Sequence, residues 1–270
     1  ENIGQWVLII IASIIAICLF SFQKKGTEKV AWTFGPLMVL WFISLTISGI
    51  ISIIYYPYVL KAINPYYSVN FLLGNGLGGF FVLSEVILCA TGGEALYADI
   101  GHLGREPILK AWRLVFIALL LNYLGQGAFI ISHPNAKNIL FEMIFTHTGI
   151  LYIPFLILSI GATTIASQAM ISGMFSIMYQ AINTHIAPMF KIDYMSDEMK
   201  SQIYVSIVNW TLLFSLLFMI LQFKESSSLA AAYGLSVTGT MAITGIMMTI
   251  IFYLKNDIYK TMIALFVTFV

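Results

Sequence analysis

The sequence predicts an all-α polytopic membrane helix bundle, and three observations lead to this fold class. Its 270 residues are 60% hydrophobic and only 9% charged, whereas soluble domains carry about 25% charged residues. The mean hydropathy is +0.92. The apolar residues also form successive runs close to the roughly 20 residues that a helix needs to cross a bilayer. No alternating pattern typical of strands competes with these runs.

Seven apolar runs have about the length of a membrane span, and an eighth begins near Thr261. They lie at about residues 5–22, 33–56, 79–98, 110–131, 150–180, 203–222 and 228–254. The 150–180 run is long enough to tilt strongly or to project into the cytoplasm. The connection at 57–78 is rich in aromatic residues, and we expect it to lie along the membrane interface as a structural cap. We interpret residues 1–270 as a single transmembrane domain that is part of a longer protein.

Basic residues alternate between successive connections and predict the orientation of the spans. The odd-numbered connections carry ten Lys and Arg residues in and beside them, and the even-numbered ones carry three. The positive-inside rule therefore predicts that the odd connections are cytoplasmic and that residue 1 is outside. We expect an odd number of helices before Glu1 in the parent protein.

A helix break inside the third run is the most informative feature. Gly92 and Gly93 together cost about 2 kcal/mol of helix propensity relative to two alanines. Carbonyl groups freed at such a break suit a cation, and Thr91 adds a hydroxyl oxygen. Glu94 would open the second half of the helix. Burial favours the protonated form of Glu94, and a nearby cation favours its charged form. Glu94 could therefore exchange a proton for a cation. Close helix packing at the glycine pair, with Glu94 in a structural pair, is the alternative.

Further polar residues in the spans are candidates for the same site. Asp99 lies near the predicted cytoplasmic end of the third span, where it could act in gating or in a local ion pair. Tyr233 in the seventh run has the reach to approach a site. Polar stripes in the fourth and fifth runs either line a wet cavity or join helices by hydrogen bonds. The residues of these stripes are Asn122, Gln126, Thr164, Gln168 and Ser172.

The sequence contains no pattern typical of an enzyme. It has no histidine pair at metal-binding spacing, no nucleophile motif and no phosphate-binding glycine loop. We therefore expect neither catalysis nor a cofactor. The net charge of +1 and the lack of a basic patch predict no nucleic-acid partner.

Four long motifs resemble those of the Kup/HAK/KT family of potassium uptake proteins. Their order and spacing fit this family from the first span to the last. The motifs are TGGEALYADIGH at 91–102, LNYLGQGA at 121–128, IASQAMISG at 165–173, and SSLAAAYG with VTGTM within 227–241.

The resemblance implies a potassium:proton symporter of the inner or plasma membrane with the LeuT-like fold of two inverted five-helix repeats. By that comparison the chain corresponds to about helices 4 to 11 of 12. The first three helices, which include the family's other broken helix, and the C-terminal region are absent. Glu94 and Asp99 fall at acidic positions of the family motif. The implied ion-binding and coupling residues are Thr91, Gly92, Gly93, Glu94, Asp99 and Tyr233, with Thr91 and Glu94 as potassium ligands.

Potassium, protons and the lipid bilayer are thus the expected partners, and a homodimer of the full-length protein stays open. The broken helix alone does not distinguish this function from that of an amino-acid or amine permease of the same fold. A non-transporting ion sensor and a passive channel also stay open at this point.

Overall fold

A computed structural model describes residues 4–23, 28–88, 104–194, 203–224 and 226–269, and these residues form nine α-helices and one two-stranded sheet. The helices are α1 Gln5–Phe22, α2 Glu28–Tyr55, α3 Pro65–Leu88, α4 Arg105–Ser132, α5 Ile139–Thr148, α6 Tyr152–Asn183, α7 Ser206–Phe223, α8 Ser226–Leu254 and α9 Ile258–Phe269. Short 3₁₀ helices cover Pro57–Ile63 and Gly149–Leu151, and the strands are β1 Asp193–Tyr194 and β2 Ile203–Tyr204.

The helices confirm a polytopic helical membrane protein. Five helical segments within the described ranges are long and apolar enough to cross a bilayer, and two shorter apolar helices accompany them. The five are Trp32–Tyr55, Arg105–Ser132, Ile139–Asn183, Ser206–Phe223 and Ala232–Leu254, and the shorter two are Trp6–Phe22 and Ile258–Phe269. All seven correspond to runs predicted from hydropathy. The predicted LeuT-like arrangement and helix numbering stay predictions.

Two elements were not predicted. Helix α5 precedes the predicted 150–180 span, and its first turn is closed by Glu142, whose carboxylate accepts the backbone N–H groups of Lys137 at 3.0 Å and Asn138 at 3.1 Å. The antiparallel sheet pairs Asp193 with Tyr204 before α7 begins. Strands of two residues are too short to leave an alternating pattern in a sequence.

A break in α3 lies close to the predicted start of the third span. Gly76 has φ 51° and ψ −128°, a backbone conformation that glycine adopts without the steric cost that other residues meet. The predicted boundary at residues 78 and 79 therefore lies just after a real interruption. The predicted interface segment 57–78 is itself mostly helical, because it contains the 3₁₀ helix Pro57–Ile63 and the first half of α3.

The chain divides into two units. The larger unit comprises Ile17–Phe71 and Tyr97–Leu212. The smaller unit comprises Glu1–Ala16, Leu72–Leu96 and Leu213–Val270.

In the larger unit, α2 and α4 cross with their backbones in contact at two glycines. A Cβ on Gly49 would lie 2.7 Å from the carbonyl carbon of Leu121 and 2.9 Å from the Cα of Asn122. A Cβ on Gly125 would lie 2.7 Å from the carbonyl oxygen of Gly49. The buried Ser52 hydroxyl donates to the Gly125 carbonyl at 2.7 Å. Small residues and an interhelical hydrogen bond therefore hold this crossing together.

In the smaller unit, α8 and α9 pack closely near the end of α9. A Cβ on Gly245 would lie 2.8 Å from the Cγ2 atom of Thr268. The start of α9 is capped by Asp257, whose carboxylate accepts the Lys260 backbone N–H at 3.2 Å and contacts its ammonium group at 2.7 Å. The hydrogen bond from the Lys260 side chain, followed by that from its backbone, lowers the pKa of Asp257.

We expect Gly125→Ala to destabilise the protein by about 1–3 kcal/mol, as overpacking of a close contact usually does. The added methyl group would meet backbone atoms of Gly49, which cannot move without shifting α2. Gly127→Ala is the matched control, because a Cβ there would lie 3.4 Å from a Val59 methyl group. Thermal unfolding of the detergent-solubilised protein measures both effects. Equal unfolding midpoints for the two variants would contradict the close glycine contact.

Candidate ion-binding site

The predicted helix break lies outside the described residues. The described part of α3 extends to Leu88, three residues before the predicted site begins. The predicted residues beyond it are Thr91, Gly92, Gly93, Glu94 and Asp99. The remaining predicted site residues lie on helices that the structure describes.

Asn122 lies on α4 at the crossing with α2, one helical turn before Gly125. It is 3% exposed, and its buried Oδ1 atom has no hydrogen-bond partner among the residues that the structure describes. Leaving a buried polar group unpaired costs about 1–3 kcal/mol. Such a group in a folded protein requires an explanation. The Asn122 oxygen is therefore available to a hydrogen-bond donor or to a cation.

Gln168 is the second predicted residue with a buried and unpaired oxygen. It lies on α6 and its side chain is half-buried. Its Oε1 atom has no hydrogen-bond partner within the described ranges. The neighbouring Thr164 hydroxyl donates to the Ile160 carbonyl at 2.9 Å. A hydroxyl whose hydrogen is used in this way presents only its lone pairs to other groups. This face of α6 therefore offers acceptor oxygens, as a cation requires.

The other predicted residues are less enclosed. Gln126 is half-buried on α4, Ser172 is exposed on α6, and Tyr233 on α8 is 47% exposed. Tyr233 belongs to the smaller unit, while the predicted residues on α4 and α6 belong to the larger one. Within the described part of the chain, no hydrogen bond joins one of these predicted side chains to another.

An aromatic cluster with two histidines is a feature that sequence reasoning missed. The His147 ring stacks on Tyr55, with centroids 4.8 Å apart and planes 4° apart, and Phe129 meets it edge-on at 5.7 Å. Phe129 also stacks on His133 at 4.3 Å. In the part of the chain that the structure describes, the buried Nε2 atom of His147 has no hydrogen-bond partner. Aromatic residues near the ends of three apolar segments were a signal, but spacing alone could not place them together.

A second missed feature joins the end of α1 to the start of α7. The Asn209 amide donates to the Phe20 carbonyl at 3.2 Å, and Asn209 is fully buried. No described residue donates a hydrogen bond to its Oδ1 atom or to the Oε1 atom of the buried Gln23. The sequence distance of 189 residues between Asn209 and Phe20 explains why no local pattern predicted this contact.

The unpaired oxygens belong to neutral amides. Among the described residues, no group of three or more His, Cys, Asp or Glu side chains could hold a metal ion. Transition metals prefer thiolate and imidazole ligands, and calcium and magnesium prefer sites with carboxylates. Carbonyl-type oxygens without net charge are the ligands that replace the hydration shell of a monovalent cation in selective pores.

Comparison with known proteins places these features in a family. The family model described as "K+ potassium transporter integral membrane domain" matches residues 1–270. The "Probable potassium transport system protein Kup" of Methanosarcina barkeri (strain Fusaro / DSM 804) is 70% identical over 270 residues, which are 100% of this chain and 45% of the relative.

A second relative, the "Probable potassium transport system protein Kup 2" of Geobacter metallireducens (strain ATCC 53774 / DSM 7210 / GS-15), is 62% identical over the same share of both chains. The chain thus spans about half the length of the curated relatives it matches. No solved structure matches it.

Proposed function

The chain belongs to the K+ potassium transporter family, and we propose that the protein of which it forms a part takes up potassium across the inner or plasma membrane in symport with protons. The observation that carries this proposal is the match of the family model to all 270 residues. The relatives named as potassium transport system proteins and the several membrane-spanning helices support it.

In this proposal potassium sheds its water and is held by oxygens at the predicted break of the third span. Thr91 and the carbonyl groups around Gly92 and Gly93 contribute some of the ligands. Helices of the parent protein that lie outside this chain contribute the others. The broken helix would belong to a LeuT-like fold, in which half-helix ends bind ions near the middle of the bilayer.

Glu94 is the proposed proton carrier. A carboxyl group inside a membrane span is costly when charged and is usually functional. Glu94 would bind a proton in one state of the transport cycle and release it in another, while Asp99 acts nearer the cytoplasmic end.

Asn122 and Gln168 are proposed to line the ion path. Their buried oxygens lack partners within the described part of the chain, and a passing cation would supply one. Thr164 offers hydroxyl lone pairs on the same helix as Gln168. Gln126 and Ser172 complete the proposed lining. Tyr233 is a proposed ion-binding and coupling residue.

We expect Glu94→Gln in the full-length protein to abolish proton-coupled potassium uptake, because glutamine cannot carry the proton. Rubidium uptake and the accompanying proton flux in proteoliposomes measure this. Glu106→Gln is the matched control, since Glu106 is an exposed carboxylate in the first turn of α4 and is expected to leave coupling unchanged. Undiminished coupled uptake by Glu94→Gln would refute this assignment.

We expect Asn122→Leu to weaken transport without lowering the stability of the protein. The substitution removes a buried amide oxygen that has no hydrogen-bond partner in the described part of the chain, so the free energy of unfolding should stay the same or rise by about 1 kcal/mol. Rubidium uptake by the full-length protein should nevertheless weaken. Asn209→Leu serves for comparison, because it removes a hydrogen bond to Phe20 and should lower stability. A stable Asn122→Leu variant with normal uptake would exclude Asn122 from the ion path.

The choice of potassium as the solute is tested by growth rescue of a cell that lacks potassium uptake. Rescue by the full-length protein is the expected result. Competition of rubidium uptake by amino acids would instead indicate a permease, and rubidium binding without flux would indicate a sensor.

A further inference from the structure

The smaller unit contains a groove between α1 and α7 that the proposed ion path does not use. Its volume is about 450 Å³, within the range of about 300–1,000 Å³ that is usual for ligand sites. Its walls are apolar. Among the described residues that line it, Lys224 is the charged one. Representative lining residues are Leu8, Ile11, Ala12, Ile220, Phe223 and Lys224.

One end of the groove has the composition of a membrane interface. Lys224 directly follows α7, and its ammonium group lies 5.6 Å from the centroid of the Trp6 ring. Trp6 is 64% exposed. Tryptophan is enriched where a bilayer meets water, and lysine at a helix end places its ammonium group there. The groove therefore begins at the bilayer surface and continues along apolar helices into the hydrocarbon region.

The contact between Trp6 and Lys224 also agrees with the predicted orientation. Trp6 lies at the start of the first span and Lys224 in the sixth connection. The distribution of basic residues predicts that both are outside, and the structure brings them together. The open end of the groove is thus expected at the outer leaflet.

We propose that this groove binds an anionic phospholipid of the outer leaflet. A hydrocarbon chain of the lipid lies along the apolar walls formed by α1 and α7, and the phosphate of its headgroup pairs with the Lys224 ammonium group. The apolar walls match the chain, and the single cation at the membrane surface matches the charge of the phosphate.

A second groove, in the larger unit, is a useful comparison for the role of Lys224 in lipid recognition. It has a volume of about 280 Å³ and lies between α2 and the segment from α5 to α6. Its polar lining groups Ser44, Ser48 and Thr148 each donate to a carbonyl of their own helix. It has no charged residue among those that line it. It therefore offers nothing that would recognise a lipid headgroup.

The test is lipid retention by the purified full-length protein, measured by native mass spectrometry. Phosphatidylglycerol and phosphatidylcholine with identical chains are the two probes. The unmodified protein is expected to retain phosphatidylglycerol in preference to phosphatidylcholine. Lys224→Ala should reduce this preference about fivefold, the effect of one basic residue at a membrane surface. Ala12→Phe should reduce retention of both lipids, because the larger side chain fills the groove and leaves the charge in place.

Lys61→Ala is the matched control. Lys61 lies in another connection predicted to be outside, with its ammonium group 4.2 Å from the Tyr58 ring centroid, and its loss should leave retention unchanged. An equal effect of both lysine variants would overturn the proposal, because it would indicate unspecific attraction. The proposal would also be overturned if inorganic phosphate displaced the bound lipid as effectively as added lipid does.

Retention that is unchanged in both Lys224→Ala and Ala12→Phe, or absent from the unmodified protein, would likewise overturn the proposal. The second result is expected if another helix of the parent protein fills the groove. Retention is measured without ion flux, so the outcome is independent of whether potassium uptake is coupled to protons.

Discussion

The structure depends on one constraint, which is that polar groups inside a bilayer must be satisfied by the protein itself. Lipid chains offer no hydrogen bonds, so the backbone is helical wherever it crosses. Many serine and threonine hydroxyls follow the same rule and donate to a carbonyl three or four residues earlier in their own helix. Ser13, Thr46 and Thr163 are examples from three different helices.

Ser52 uses the same chemistry between helices instead of within one. Its hydroxyl reaches the Gly125 carbonyl only because Gly49 and Gly125 lack side chains and let α2 and α4 approach closely. The hydrogen bond and the close packing therefore depend on each other. An alanine at either glycine would remove both, since it would separate the helices and lengthen the bond. This crossing fixes the position of Asn122, which lies one turn before Gly125 and is buried by the same contact.

Most of the fold could be predicted from the sequence because membrane helices depend on a single strong signal. Runs of apolar residues predicted the bounds of the helices α2, α4, α7 and α8 to within five residues. The helix α5 was missed, since its first turn depends on the Glu142 carboxylate. The sheet was missed, since strands of two residues leave no alternating pattern. Two long-range contacts could not be predicted either, namely those of Gly49 with Gly125 and of Asn209 with Phe20. Residues so far apart in the sequence leave no periodic pattern. Motif resemblance gave the family correctly, as the match over the whole chain confirms.

The unpaired oxygens connect this constraint to function. Four buried amide oxygens, those of Gln23, Asn122, Gln168 and Asn209, differ from the hydroxyls because they have no hydrogen-bond partner among the residues that the structure describes. The proposed ion path uses two of them, the oxygens of Asn122 and Gln168. Both are acceptors, so the group that completes them must be a donor or a cation. Neither carries charge, and a neutral oxygen binds a monovalent ion weakly enough to release it again, as conduction and transport require. A fixed carboxylate in the same positions would hold the ion more tightly and slow its release. The proposed path therefore combines neutral acceptors with a titratable charge at Glu94, and this combination would suit a potassium ion whose uptake is driven by a proton.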